Sequence, residues 1–213
     1  MKRMEAITAV ARVAGDSLLV CNLGFPSREL FSAMDRPENF YMLGSMGLCS
    51  SIGLGLALAR PDRKIISLDG DGAVLMNLGT LTTIACTAPA NYLLVILDNC
   101  SYCSTGCQPT ATSLKADLAE IARGAGVQRV IRVSDYENLI DALGGSGVVV
   151  AQVEAGNAEV PVIALHPKDV ISRFRSTMRL IPDRAGNRTA KAIRKISDEG
   201  GSYSGVIREV HRE

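Results

Sequence analysis

Lys64-Ile65-Ile66-Ser67-Leu68-Asp69-Gly70-Asp71-Gly72 is the stretch on which the reading of this chain turns. A largely aliphatic run that stops at carboxylates set between glycines has the pattern of a buried strand delivering its end to a turn. A second run, Tyr92-Leu93-Leu94-Val95-Ile96-Leu97, stops at Asp98-Asn99, and a helical stretch from Leu78 to Cys86 lies between the two. Strand, helix, strand at this spacing is a parallel crossover, and parallel strands covered on both faces are apolar throughout instead of alternating.

The same alternation extends in both directions. Towards the N-terminus, residues 3–14 predict a helix. Ser17 to Cys21 predicts a strand that runs into the loop Asn22 to Ser27, and Phe40 to Leu43 a strand ending at Gly44-Ser45-Met46-Gly47. Leu48 to Ala59 predicts a small-residue helix. Towards the C-terminus, a long polar loop from Asp98 to Ser113 precedes a helix over Leu114 to Ala125, a strand over Gln128 to Val133, a helix over Tyr136 to Leu143 and a strand over Gly147 to Val153. The expected fold is α/β: a doubly wound, mainly parallel sheet with helices on both faces, occupying residues 1–181. Pro182-Asp183-Arg184-Ala185-Gly186 opens a change of character, and residues 182–213 read as a polar tail, partly helical or disordered.

Composition narrows the class. Of 213 residues, 47% are hydrophobic and 21% charged, enough for a substantial core. No run reaches the roughly 20 apolar residues of a membrane span. Met1 to Glu5 leads into a helical pattern and not a signal-peptide core, so a cytoplasmic protein is expected. A net charge of +1, with basic and acidic residues interspersed, gives no electrostatic case for nucleic acid or a membrane surface. Six cysteines under these conditions predict free thiols.

Open parallel sheets bind ligands beyond the carboxyl ends of their strands, which directs attention to three loops: Gly44 to Gly47, Gly70 to Ala73 and Asp98 to Gln108. Glycines around Asp71 let backbone amides approach a phosphate, yet the carboxylate would repel that phosphate unless a cation stood between them. Magnesium takes about six oxygen ligands, few of them from protein. Asn99, 28 residues after Asp71 and just past the next strand, is placed to supply a second one.

Gly70-Asp71-Gly72 followed after 25 residues by Asp98-Asn99 resembles the signature of the thiamine-diphosphate enzymes. Gly44-Ser45-Met46-Gly47 resembles that family's loop beneath the cofactor. Ser104-Thr105-Gly106-Cys107-Gln108 is similar to a segment of its phosphonopyruvate and sulfopyruvate decarboxylases, and Asn39 to Gly47 is most similar to the beta subunit of the latter. The resemblance covers about residues 1–178. It implies thiamine diphosphate and Mg²⁺ as cofactors, with Asp71, Asn99 and the Ser101 carbonyl as metal ligands. Gly72 and Ala73 would offer amides to the diphosphate, with Gly24 and Phe25 nearby. The Gly44 carbonyl would accept from the cofactor's exocyclic amine, and Met46 would be the apolar wedge that bends the two rings together. Gly70, Ser45, Tyr102 and Cys103 complete the cofactor-contact set. The glutamate that activates the pyrimidine ring belongs, in such enzymes, to a second domain for which this chain has no room; a separate alpha subunit is therefore expected to supply it, in a hetero-oligomer. No residue here is nominated as catalytic with certainty, Met46, Ser104 and Thr105 being candidates. The implied reaction is non-oxidative decarboxylation of 3-sulfopyruvate to sulfoacetaldehyde, in coenzyme M biosynthesis. Phosphonopyruvate or another 2-keto acid as substrate, a 2-keto acid oxidoreductase subunit, and a non-catalytic cofactor-binding module remain alternatives.

Each motif also has a plain structural reading. A lone Gly-Asp-Gly is an ordinary turn, Met46 alone a core methionine, and Ser104 and Thr105 either face a substrate or merely shape a turn. Cys100, Cys103 and Cys107 have soft-metal spacing but are one thiolate short of a four-cysteine set, which leaves oxidation-sensitive thiols or inert small residues. His166 and His211 read as surface residues.

Overall fold

The computed structural model describes residues 1–178. In chain order its elements are α1 (Arg3–Val13), β1 (Leu18–Cys21), α2 (Phe25–Met34), β2 (Asn39–Tyr41), α3 (Cys49–Ala59), β3 (Ile65–Gly70), α4 (Asp71–Met76) and α5 (Gly79–Thr87). There follow β4 (Tyr92–Asp98), β5 (Ser101–Tyr102), β6 (Gln108–Pro109), a 3₁₀ turn (Ala111–Ser113), α6 (Leu118–Gly124), β7 (Val130–Val133), α7 (Tyr136–Ala142), β8 (Gly147–Gln152) and α8 (Pro167–Thr177).

Six strands form one sheet in the order β2-β1-β3-β4-β8-β7, and every neighbouring pair is parallel. All seven residues of β4, at the centre, are buried, which is what an aliphatic run without alternation requires. Successive side chains leave opposite faces. Leu93, Val95 and Leu97 pack with Leu19, Ile66 and Leu68 against Ala6, Val10, Leu30 and Leu139 from α1, α2 and α7. On the other face Tyr92 and Ser67 meet α3 at Gly53, where a methyl group would stand 3.0 Å from the Tyr92 ring and closer still to the Ser67 hydroxyl. Helices thus cover both faces, as the sequence predicts.

The chain order reverses between β1 and β3: β2 lies to one side of β1, and β3, β4 and β8 to the other. Such a switch point opens a crevice at the carboxyl ends of the strands. Gly70 and Leu97 are register partners, so the residues after β3 and β4 emerge side by side at that crevice.

The structure departs from the sequence expectation in several places. α2 follows β1 directly, started by Pro26 in its first turn and by Gly24 at φ +83°. The expected helix from Leu78 is preceded by α4, which begins at Asp71 itself, so the Gly-Asp-Gly is a strand-to-helix junction and not a free loop. α6 begins at Leu118 instead of Leu114. The Asp117 carboxylate accepts the N–H groups of Ala119 and Glu120 and fixes the start there, while Ala111 O takes the N–H groups of Leu114, Lys115 and Ala116 in a separate turn. The short ladder β5–β6 and helix α8 are further additions. Residues Met1–Thr177 make one compact unit. The tail expected over 182–213, with His211, lies outside the described residues. Among the described residues no helix is long and apolar enough to cross a membrane.

Candidate functional site

At the switch point lies an open cleft. The ends of three strands line it: Asn22 and Leu23 after β1, Gly70 to Ala73 after β3, and Leu97, Asn99 and Ser101 to Thr105 from β4 onward. Met46, from the loop after β2, forms part of the wall, and Arg3 and Pro26 reach in from α1 and α2.

Asp71 is buried to 2% exposure at the first position of α4. Its Oδ2 accepts hydrogen bonds from the hydroxyls of Thr110, at 2.6 Å, and Thr112, at 3.1 Å. Burial pushes its carboxyl above the ordinary range and the nearby Asp98 adds to this, while the Thr110 and Thr112 hydroxyls and the Gly72 N–H oppose it. No Lys or Arg pairs with it among the described residues. Asn99, 7% exposed, turns its Oδ1 towards the N–H of Ser101 at 3.2 Å, an Asx turn that leaves the oxygen a further lone pair. Pro109, opposite Ser101 in the β5–β6 ladder, has no N–H to offer the Ser101 carbonyl. A buried, uncompensated carboxylate beside amide and carbonyl oxygens is a donor set of oxygen only, which fits a hard divalent cation.

The wall opposite is shaped by close contact. A methyl group on Gly72 would stand 2.7 Å from Cδ1 of Tyr102 and nearer to Cε1, so only glycine lets the α4 backbone lie under that ring. The loop Gly44 to Gly47 is tied to α4: Asn77 Nδ2 donates to Gly47 O at 3.1 Å, and Gly47 at φ +91° packs against Ala73 O and the Met76 side chain. Behind the sheet end, burial pushes Asp69 up to about 7, although its carboxylate accepts the N–H groups of Gly70 and Ser50.

The structure therefore brings together Met46, Gly70, Asp71, Gly72, Ala73, Asn99, Ser101, Tyr102, Cys103, Ser104 and Thr105. Gly24, Phe25, Gly44 and Ser45 stand outside the lining. Gly24 abuts Ser104, with a methyl on it placed 3.2 Å from the hydroxyl, and the Phe25 ring carries Arg28 over it at 5.0 Å. Ser45 holds a left-handed φ of +59°. Sequence reasoning missed Arg3, Asn22, Leu23, Pro26 and Leu97. Asn22 was findable as the residue ending β1 beside β3, whereas nothing in the spacing signals Arg3, which arrives by helix packing.

Arg3 is held from behind. Its guanidinium makes a two-pronged pair with Glu29, at 2.8 and 2.7 Å, and donates to Asn157 Oδ1 at 2.8 Å. Asn157 in turn donates to Cys103 O at 2.9 Å, linking α1 and α2 to the loop after β4. At Cys103 burial acts to raise the thiol, but hydrogen bonds involving Ser101, Cys107 and the Gly156 N–H, with Arg3 nearby, bring it below its ordinary value. Cys100 is raised by burial first, with Asp98 adding to the rise. All six cysteines are free, and among the described residues no group of three or more His, Cys, Asp or Glu side chains is arranged to hold a metal. His166 is part of the exposed approach to α8, where its Nδ1 accepts the N–H of Lys168.

Residues 26–146 match the family described as thiamine pyrophosphate enzyme, C-terminal TPP binding domain. The sulfopyruvate decarboxylase subunit beta of Methanothermobacter thermautotrophicus is 49% identical over 84% of this chain and 96% of its own length. The sulfopyruvate decarboxylase of Methanosarcina acetivorans is 40% identical over 84% of this chain but only 47% of its own. Among solved structures, a thiamine diphosphate-dependent 4-hydroxybenzoylformate decarboxylase from Rhodococcus jostii superimposes with a TM-score of 0.58 at 22% identity, covering 75% of this chain. The present chain spans about a third of that structure (33%), and the likeness is one of fold.

Proposed function

The chain belongs to the thiamine pyrophosphate enzymes, among the sulfopyruvate decarboxylase beta subunits, and on that premise we propose that it is the diphosphate-binding subunit of a decarboxylase converting 3-sulfopyruvate to sulfoacetaldehyde and carbon dioxide, a step of coenzyme M biosynthesis. The observation that carries this reading is the convergence of Asp71 and Asn99 on one cleft at the switch point, each delivered by its own central strand.

Thiamine diphosphate, when bound, supplies the electron sink that makes loss of carbon dioxide from a 2-keto acid feasible. The chain's own part is binding and orientation. Asp71, Asn99 and the Ser101 carbonyl would hold Mg²⁺, whose charge would offset that of the diphosphate beside the buried carboxylate. The amides of Gly72 and Ala73 would face the same diphosphate, with the Tyr102 ring packed over Gly72 beside them. Met46 would supply the apolar wedge beneath the cofactor's rings, and its loop would offer the Gly44 carbonyl to the exocyclic amine, with Ser45, Gly24 and Phe25, which stand outside the lining, near its edge. Ser104 and Thr105, exposed at the mouth, are placed for the substrate.

The activating glutamate comes from a partner alpha subunit. Two observations support this: among the described residues no glutamate lines the cleft, and Glu29, which holds the cleft-lining Arg3, is taken up by that pair and the Ala158 N–H. The Methanosarcina acetivorans relative, of whose length the match covers 47%, fits the same division of labour.

The test is carbon dioxide release from 3-sulfopyruvate, with thiamine diphosphate and Mg²⁺, by this chain alone and co-assembled with a pyrimidine-domain subunit. Activity confined to the assembly and abolished by Asp71→Ala is expected. Turnover of phosphonopyruvate in preference to 3-sulfopyruvate would move the substrate assignment, and activity of the chain alone would remove the need for a partner glutamate.

A further inference from the structure

The far end of the loop that carries Asn99 returns to Asp71. The Thr110 N–H donates to Cys100 O at 3.1 Å and closes the loop on itself. Its hydroxyl, on a residue 1% exposed, then donates to Asp71 Oδ2 at 2.6 Å. The Thr112 hydroxyl stands 3.1 Å from the same carboxylate oxygen, 2.9 Å from Asp98 Oδ1 and 2.8 Å from the Thr110 hydroxyl. A hydroxyl has one proton to give. Thr112 therefore satisfies one of these acceptors at a time, and Thr110 provides the shorter bond. Both threonines address Oδ2; among the described residues no side chain hydrogen-bonds Oδ1. Neither threonine lines the cleft.

We propose that Thr110 is a positioning residue for the divalent-cation site: its hydroxyl occupies Asp71 Oδ2 and sets the carboxylate with Oδ1 towards the metal, while Thr112, shared between that oxygen and Asp98 Oδ1, supports it in part. This rests on the reading of Asp71 as a cation ligand. The physical reason is general. A carboxylate ligand is free to rotate unless an outer partner takes its second oxygen, and loss of such a partner weakens metal binding by about 10- to 100-fold. The loop's closure through Cys100 explains why a residue 11 positions beyond Asn99 acts on a ligand from another strand.

The experiment is titration of Mn²⁺, read by its electron paramagnetic resonance, into the full-length chain in its decarboxylating assembly with thiamine diphosphate present. Thr110→Val, which keeps the shape and removes the hydroxyl, is expected to weaken Mn²⁺ binding by about 10- to 100-fold. Its kcat should recover at saturating Mg²⁺. Thr110→Ser is expected to bind close to the wild type, and Thr112→Val to show a smaller loss. A merely structural role for Thr110 would lower the melting temperature without moving the Mn²⁺ affinity, and that result, or a serine variant as weak as valine, overturns the proposal. Should Thr110→Val not fold, the serine and Thr112→Val variants carry the test, and unchanged affinity in Thr112→Val counts against it. Asp71→Asn separates the two levels: wild-type affinity there removes the ligand assignment itself, whereas loss there with unchanged affinity in Thr110→Val overturns only the role of the threonine.

Discussion

Tyr102 lies across Gly72 so closely that a methyl group at position 72 would meet the ring at 2.7 Å from Cδ1. The ring is part of the cleft lining, and the glycine is the second residue of α4. Gly72→Ala must displace the ring or the helix start, and overpacking of this kind costs about 1–3 kcal/mol. Thiamine diphosphate affinity should fall by at least tenfold, measured by cofactor titration, with a melting temperature lower by several degrees. Cofactor binding equal to the wild type would mean that the ring swings away freely.

Gly53 makes the corresponding contact on the other side of the sheet, away from the cleft. A methyl on it would meet Ser67 and the Tyr92 ring, whose hydroxyl stands 2.8 Å from Ser50 O and 3.0 Å from Ser67 Oγ and donates to one of them at a time. Gly53→Ala is expected to destabilise the fold by about 1–3 kcal/mol in denaturant unfolding, by pushing α3 off β3 and β4. Cofactor affinity in the folded fraction should hold. A drop in cofactor affinity larger than the drop in stability would show that α3 transmits its shift to Met46.

The contrast between these two glycines marks what was legible in the sequence. The order of strands and helices follows from apolar runs ended by Gly, Asp and Asn, because a strand buried on both faces has no choice but to be aliphatic. Asp71 and Asn99 were legible for the same reason: each ends such a run. The missed features depend on contacts between distant parts of the chain. α4 starts at Asp71 directly after the extended Gly70, with Gly72 leaving room for the Tyr102 ring, and the triplet itself reads equally well as a loop. Thr110 and Thr112 sit in a stretch that looks like featureless polar loop until the Cys100–Thr110 bond folds it back. Arg3 is an ordinary basic residue near the N-terminus until Glu29 and Asn157 fix it beside the cleft.

That buried pair makes a prediction about stability. Arg3 and Glu29 are 7% and 1% exposed, and removing one partner leaves an uncompensated buried charge. Glu29→Leu should cost about 3–5 kcal/mol in denaturant unfolding, while the double variant Arg3→Met, Glu29→Leu should recover much of that loss. The double variant also frees Asn157 from Arg3, so its cofactor cleft should be looser even where its stability is restored. Equal destabilisation in single and double variants would show that the pair's hydrogen bonds, and not its charge balance, hold α1 to α2.

Asp117 gives the pH dependence a sign. Its carboxylate caps α6 and pairs with Arg132, and the hydrogen bond from Arg132, aided by the Ala119 and Glu120 N–H groups, holds its carboxyl below the ordinary range. A group whose folded value is depressed contributes stability that is complete above its unfolded value, about 3.9, and is lost as the pH falls through the folded one. Asp117→Asn keeps a capping oxygen but cannot titrate. The stability difference between wild type and variant should therefore be constant from about pH 8 to pH 5 and shrink below about pH 4. Since both partners are well exposed, the difference should also diminish at high salt. A gap that widens on acidification would place the stabilising charge elsewhere in the α6–β7 corner.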